Sequence, residues 1–158
     1  MNLETEFIQR GSLAAALYYQ MHGLSVIPLN GKKPALYWQD YQKRRATGSE
    51  IKQWDSYGKL KNVGIVLGKI SGIVAVDLDG LEAVNLFEAQ FPEWCNTYTV
   101  RTGSRKGLHL YYQPQEIPAT TRVVGLPAGN IELRSTGTYV VAPPSIHPDT
   151  HFSYVVDL

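Results

Sequence analysis

The stretch GIVAVDLDG, residues 72–80, ends an apolar run with two carboxylates that are separated by one leucine. Successive side chains of a β-strand point to opposite faces of its sheet. We therefore expect Asp77 and Asp79 to share one face, and Val76 and Leu78 to occupy the other. Two carboxylates at that distance repel each other unless a proton, a basic side chain or a divalent metal ion lies between them. The stretch thus predicts a strand that carries two carboxylates side by side on one face.

Length and composition favour one soluble domain over residues 1–158. The chain is 44% hydrophobic, which is enough for one good core. Its net charge of +1 excludes the strongly basic signature of a protein that coats nucleic acid, although a neutral total can hide a local basic cleft. The single cysteine, Cys95, excludes an internal disulfide framework. With no signal-peptide core and no long apolar run, we expect a cytoplasmic protein without a membrane partner.

The pattern of elements indicates an α+β fold with a mostly antiparallel sheet. Helices are predicted at residues 12–22, after a capping box formed by Thr47 and Glu50, and at residues 81–91. Short β-rich runs separated by Gly, Pro and Ser dominate the second half. Strands are predicted at residues 24–29, 62–68, 72–80, 97–102, 108–113, 130–135, 138–145 and 152–158. Since the helices come early and the strands late, one sheet is expected to carry the chemistry.

Three further polar features stand out against these apolar runs. His109 lies between two leucines of a strand, and Glu132 and Arg134 share a strand face by the same period of two. The loop RTGSRKG, residues 101–107, combines two glycines with hydroxyls and cations. Carboxylates for Mg²⁺ or Mn²⁺, cations for a polyphosphate and a glycine loop are the parts that phosphoryl transfer needs. A zinc site fits less well, because only one histidine lies on a strand.

Each of these features also has a purely structural explanation. A D-x-D pair can form a turn or a cap, and a strand histidine can be held by structural hydrogen bonds. Glu132 and Arg134 can be a surface ion pair worth about 0 to 1 kcal/mol, and residues 101–107 can be a solvated hairpin loop. The residues alone leave both explanations open.

The order of the motifs resembles the N-terminal primase/polymerase domain of bifunctional DNA primase/polymerases, in the archaeo-eukaryotic primase superfamily. The similarity covers nearly the whole chain and includes VGIVLGKISGIVAVDLDG, RTGSRKGLHLYY and IELRSTGTYVVAPPSIHP. It implies a small N-terminal αβ unit packed on an RRM-like sheet, with the active site between them. It also implies a template-dependent nucleotidyltransferase, a DNA primase or DNA polymerase, with a DNA template and primer, dNTP or NTP substrates and a helicase domain or subunit as partners.

The resemblance also implies roles for individual residues. Asp77 and Asp79 match the first acidic motif and would hold two Mg²⁺ or Mn²⁺ ions. Glu132 matches the third acidic position, which is often aspartate in the family. His109 matches the histidine that contacts the nucleotide triphosphate. The neighbouring candidates for phosphate contacts are Ser104, Arg105, Lys106 and Arg134.

A second basic segment precedes these motifs. Lys32, Lys33 and residues 43–45 are interleaved with Tyr37, Trp38 and Tyr41. Such a mixture suits the template backbone and its bases, with Lys32 and Lys33 as candidate contacts. The alternative is a solvated loop whose aromatic side chains are tucked into the core.

Two other functions compete with nucleotidyl transfer. A metal-dependent nuclease also uses clustered acids and a histidine, and it would cleave DNA without nucleotide. A catalytically silent nucleic-acid or nucleotide-binding module of a replication protein would bind its ligand without any chemistry.

Overall fold

Two antiparallel sheets and four α-helices form an α+β fold in the described residues, 4–119 and 122–157, of the computed structural model. The α+β class and the antiparallel pairing predicted from the sequence are confirmed. No helix in these two ranges has the length and apolar character that crossing a membrane requires. The helices are α1 (Thr5–Ile8), α2 (Ser12–Met21), α3 (Gly48–Ser56) and α4 (Leu81–Gln90).

The predicted capping box starts α3 as expected. The Thr47 side chain accepts a hydrogen bond from the Glu50 amide at 3.2 Å, and the Glu50 carboxylate accepts one from the Thr47 amide at 2.8 Å. These bonds satisfy two amides that a helix N-terminus otherwise leaves unpaired. Gly23 follows α2 in the left-handed region, with φ of 81°, where glycine carries no steric penalty.

Ten strands make up the two sheets. The first sheet has the order β2-β1-β3-β9, and the second has the order β10-β5-β6-β4-β8-β7. The strands are β1 (Ser25–Asn30), β2 (Lys33–Pro34), β3 (Asn62–Val66), β4 (Val74–Asp79), β5 (Thr99–Arg101), β6 (Leu108–Tyr112), β7 (Arg122–Leu126), β8 (Gly129–Arg134), β9 (Tyr139–Ala142) and β10 (Val155–Val156).

Each sheet has its own helical cover. Buried residues of α2 and α3, such as Ala16, Tyr19 and Ile51, pack in one core cluster with the first sheet. In the second cluster, Phe87 of α4 packs with Leu78 on the apolar face of the second sheet. Helix α4 therefore covers the face opposite the acids, and the charged face is left to meet the first sheet.

Three features go beyond or differ from the expectations. The αβ unit contains a sheet of its own, and β9 from the second half of the chain completes that sheet by pairing with β3. Strand β7 carries no alternating pattern and was not predicted. Of the strand predicted at residues 152–158, only Val155–Val156 form a strand, which is β10. Leu158 lies outside the described residues. Pairing between distant segments explains the first difference, because a strand's local pattern does not name its partner.

Candidate active site

The register of the second sheet brings the acidic residues and the histidine side by side. Asp77 on β4 lies opposite His109 on β6 and opposite Glu132 on β8. Asp79, two residues further, lies opposite Asn130. Since directly paired residues share a face, His109 and Glu132 lie on the face that Asp77 and Asp79 were predicted to share.

Two glycines let the neighbouring strands approach the acidic end of β4. A Cβ atom on Gly107 would lie 2.5 Å from the carbonyl oxygen of Leu78, and one on Gly129 would lie 1.7 Å from that of Asp79. Neither distance is possible for a residue with a side chain, so glycine is required on both sides. The backbone on both sides of β4 therefore packs directly against the end of the strand that carries the acids, and this contact fixes the position of that end.

A basic side chain already lies against two of the acids. Arg134 Nε is 3.0 Å from Asp77 Oδ2, and Arg134 Nη2 is 2.9 Å from Glu132 Oε2. The guanidinium also donates from Nη1 to the Tyr139 carbonyl of β9 at 3.3 Å. Among the three ways to relieve the carboxylate repulsion, this structure uses a basic side chain, whereas Asp79 stays exposed to solvent.

His109 is a buried, uncharged ring next to Asp77. Its Nε2 lies 3.5 Å from Asp77 Oδ1, and its Nδ1 has no hydrogen-bond partner among residues 4–119 and 122–157. Burial lowers the pKa of His109, Asp77 acts against that shift, and Arg134 adds to it. At neutral pH the ring is therefore neutral, and one nitrogen donates while the other accepts.

Most of these side chains face a cleft of about 290 Å³ between the two sheets, but Glu132 is not among the residues that line it. The second sheet contributes Asp77, Asp79, His109 and Arg134, and the first sheet contributes β9. Lys32 reaches the cleft from the turn before β2, and the Tyr139 hydroxyl holds its carbonyl at 3.0 Å. The cleft thus lies between the sheet that α2 and α3 cover and the larger sheet.

Six residues that line the cleft were not predicted as site residues: Thr102, Tyr139, Val140, Val141, His147 and Tyr154. The His147 Nδ1 accepts hydrogen bonds from the amides of Asp149 and Thr150 at 3.2 and 3.4 Å, so the proton of the neutral ring is on Nε2. Burial lowers the pKa of His147 and raises that of Tyr154 to about 12. The motif PPSIHP was visible in the sequence, but no periodicity showed that this tail returns to the cleft.

The side chains of the loop at residues 101–107 lie on two different surfaces. Ser104 lines the cleft, with its hydroxyl 2.8 Å from that of Thr102. Arg105 and Lys106 are exposed and do not line it; Arg105 instead lies over the ring of Phe152. The tight turn of the loop, closed by the Thr102 amide donating to the Gly107 carbonyl at 3.0 Å, directs these side chains apart.

Only some cations of the basic segment before α3 are available for contacts with a template. Lys32 faces the cleft, and Lys33 is exposed on β2 without lining it. Arg44 is engaged by the Glu50 carboxylate at 2.8 Å, and Arg45 donates to the Ile70 carbonyl at 2.9 Å. Tyr41 is buried, as the alternative explanation of this loop expected, whereas Tyr37 is exposed.

The donor set suits a hard divalent ion in its chemistry. Asp77, Asp79 and Glu132 offer carboxylate oxygens, which Mg²⁺ and Mn²⁺ prefer. In the two described ranges, no three side chains of His, Cys, Asp or Glu are grouped closely enough to form a metal site. Arg134 lies against two of the three acids, so a metal and this guanidinium would compete for the same oxygens.

Comparison with known proteins gives one result. A search of curated proteins found no matching sequence. The family model described as bifunctional DNA primase/polymerase, N-terminal, matches residues 15–157, which include both sheets and every residue of the cleft. The chain therefore belongs to the family of N-terminal domains of bifunctional DNA primase/polymerases.

Proposed function

We propose that this chain is one catalytic domain that joins nucleotides on a DNA template at the cleft between its two sheets. Family membership implies primase/polymerase activity with DNA and nucleotides as substrates. The observation that carries the proposal is the register of β4, which puts Asp77 between His109 and Glu132, with Asp77 and His109 lining the cleft.

Asp77 and Asp79 would hold Mg²⁺ or Mn²⁺, with Glu132 as the third acid. When bound, such ions supply a lowered pKa for the primer 3′-hydroxyl and neutralise the charge of the leaving pyrophosphate. The chain's own part is to present the acids on a strand that glycines fix on both sides.

The nucleotide triphosphate would contact the cations and neutral donors of the cleft. Lys32 and Arg134 provide positive charge at its edge. His109 and His147 are neutral, so each donates through a single N–H without adding charge. His147 Nε2 is the stronger candidate for such a contact, because two backbone amides fix the proton there. The Ser104 hydroxyl is a further donor on the same wall.

A catalytically silent binding module is the second candidate. The contacts of Arg134 with Asp77 and Glu132 favour it, because an internal cation already neutralises the acids that a metal would need. The two candidates differ in the role of the acids. Only the enzyme needs them for catalysis, whereas in the binding module they serve folding alone.

Extension of a labelled primer on a DNA template, with dNTPs or NTPs and Mg²⁺ or Mn²⁺, tests the proposal. The parent is compared with the double variant Asp77→Asn/Asp79→Asn and with Asp55→Asn, which removes an exposed carboxylate of α3. Extension is expected from the parent and the control, and loss of at least about 100-fold from the double variant, as for removal of groups that stabilise transition-state charge.

If the parent extends no primer with either metal but binds DNA as tightly as the double variant, the silent module is the correct function. Cleavage of the template without nucleotide would instead support a nuclease.

A further inference from the structure

A second concave surface lies on the outer side of the loop at residues 101–107. This outer groove has a volume of about 560 Å³ and is lined by Arg101, Thr102, Arg105, His151, Phe152, Ser153 and Val155. Thr102 also lines the catalytic cleft, so the loop is a wall between the two. None of the lining residues except Thr102 belongs to the cleft.

An arginine and an aromatic ring are stacked in this groove. The Arg105 guanidinium carbon lies 3.4 Å from the centre of the Phe152 ring, and the Phe152 side chain is still 43% exposed. A guanidinium that lies over an aromatic ring keeps one face for stacking and its N–H groups for anions. The pair therefore offers a flat surface with a positive charge.

The backbone of the groove is held in an uncommon conformation. Arg105 has φ of 63° and His151 has φ of 60°, and these are the two non-glycine residues with positive φ in the chain as described. Such conformations are costly for residues with a side chain, and they are concentrated where a ligand or a function requires them. Both residues line the same groove, although they are 46 positions apart in the sequence.

The charge of the groove suits an anion. Arg101 pairs with Asp157, at 2.5 Å from Nη2 to Oδ2, so its charge is largely compensated. Arg105 makes no ion pair with a carboxylate within residues 4–119 and 122–157, and no acidic residue lines the groove. Its positive charge is thus available to an external partner.

We propose that the outer groove binds an unpaired stretch of a DNA strand, with a base stacked on the Arg105–Phe152 pair and the phosphate backbone next to Arg105. Exposed cation and aromatic surfaces together are what sequence-tolerant binding of single strands uses. A base in a duplex has no free face, so the unpaired strand is the form that fits. This inference rests on the proposed function, because the strand in the groove is the template beside the cleft.

Binding of a fluorescently labelled single-stranded oligonucleotide, measured by anisotropy over a range of salt concentrations, tests the inference. Phe152→Ala is expected to weaken binding by about five-fold or more through loss of base stacking. Arg105→Ala is expected to weaken it similarly and to lower the salt slope by about one. Arg105→Lys keeps the charge and loses the flat stack, so it should retain the salt slope and bind less tightly than the parent.

The chain offers a matched control pair. Arg10 lies over the Phe7 ring at 4.8 Å, and the Phe7 side chain is 39% exposed, close to the exposure of Phe152. Arg10→Ala and Phe7→Ala should leave the affinity unchanged. If the groove variants bind the single strand like the parent, or if the control pair weakens binding equally, the inference is wrong.

The inference can fail without the proposed function. If the folded Arg105→Lys variant binds DNA as tightly as the parent and still extends primers, DNA does not bind in the outer groove. The proposed active site in the cleft is unaffected by that result. Loss of extension in Asp77→Asn/Asp79→Asn, with unchanged single-strand affinity, is the complementary result that separates the cleft from the groove.

Discussion

Replacing Arg134 by glutamine tests how the second sheet tolerates its acids. The guanidinium contacts Asp77 at 3.0 Å and Glu132 at 2.9 Å, and all three side chains are partly buried, with 31%, 17% and 24% of their surface exposed. Glutamine retains hydrogen-bonding capacity and much of the length, but it removes the positive charge. Two carboxylates on adjacent strands then face each other without a cation.

The magnitude of the loss follows from this intermediate burial. Exposed ion pairs contribute about 0 to 1 kcal/mol, whereas removing one partner of a fully buried pair costs about 3 to 5 kcal/mol. We therefore expect Arg134→Gln to lower the free energy of unfolding by about 2 kcal/mol at neutral pH without divalent ions. Because a metal that binds the acids only in the folded state stabilises that state, excess Mg²⁺ or Mn²⁺ should restore more stability to the variant than it adds to the parent.

Urea unfolding of parent and variant, each with a chelator and with excess Mg²⁺ or Mn²⁺, measures both effects. Arg10→Gln is the control, because it breaks an exposed pair with Glu6 of α1, 2.8 Å apart, and should cost less than about 0.5 kcal/mol. The reasoning is refuted if Arg134→Gln costs no more than the control. It is also refuted if divalent ions stabilise parent and variant to the same extent.

Two further predictions concern the close backbone contact of Gly107 with β4 and the dependence of stability on pH. Gly107→Ala should lower the free energy of unfolding by about 1 to 3 kcal/mol and reduce primer extension, because its Cβ would lie 2.5 Å from the Leu78 carbonyl. Gly125→Ala, with 3.7 Å to its nearest neighbour, is the control in both assays, and equal losses would contradict the importance of this contact. Burial lowers the pKa values of His109 and His147, so the unfolded chain binds the extra protons and stability should fall as pH drops below about 6.5. Urea midpoints at pH 7.5 and 5.5 check this, and a smaller difference is expected for His147→Asn; an equal difference in that variant would count against the assignment.

Short-range patterns were enough to predict which side chains of one strand share a face. The alternation of side chains along β4, β6 and β8 predicts which residues share a face, because the period of a strand is fixed by its backbone. The register then pairs Asp77 with His109 and Glu132, which that alternation alone does not specify. Helix α3 was equally predictable, since the residues of its capping box are neighbours in sequence.

The remaining parts depend on contacts between distant segments. Strand β9 joins β3, more than 70 residues earlier in the chain, and so the first sheet could not be separated from the second by local pattern. The composition of the loop containing Arg105 predicted that its side chains contact phosphate. The direction of each side chain, however, depends on the turn. His147 reaches the cleft because the tail folds back, which composition does not indicate.

The packing of two loops against each other explains why the cleft and the outer groove are adjacent. A Cβ atom on Gly103 would lie 2.5 Å from both the His147 Cβ and the Phe152 carbonyl oxygen, so the loop at residues 101–107 and the tail touch backbone to backbone. The Thr150 hydroxyl donates to the Gly103 carbonyl at 2.6 Å and fixes that contact. His147 faces the cleft and Phe152 faces the groove from the same short tail. We therefore expect a displacement of this tail at the cleft to reach the groove as well, because close-packed interiors have low compressibility and transmit strain.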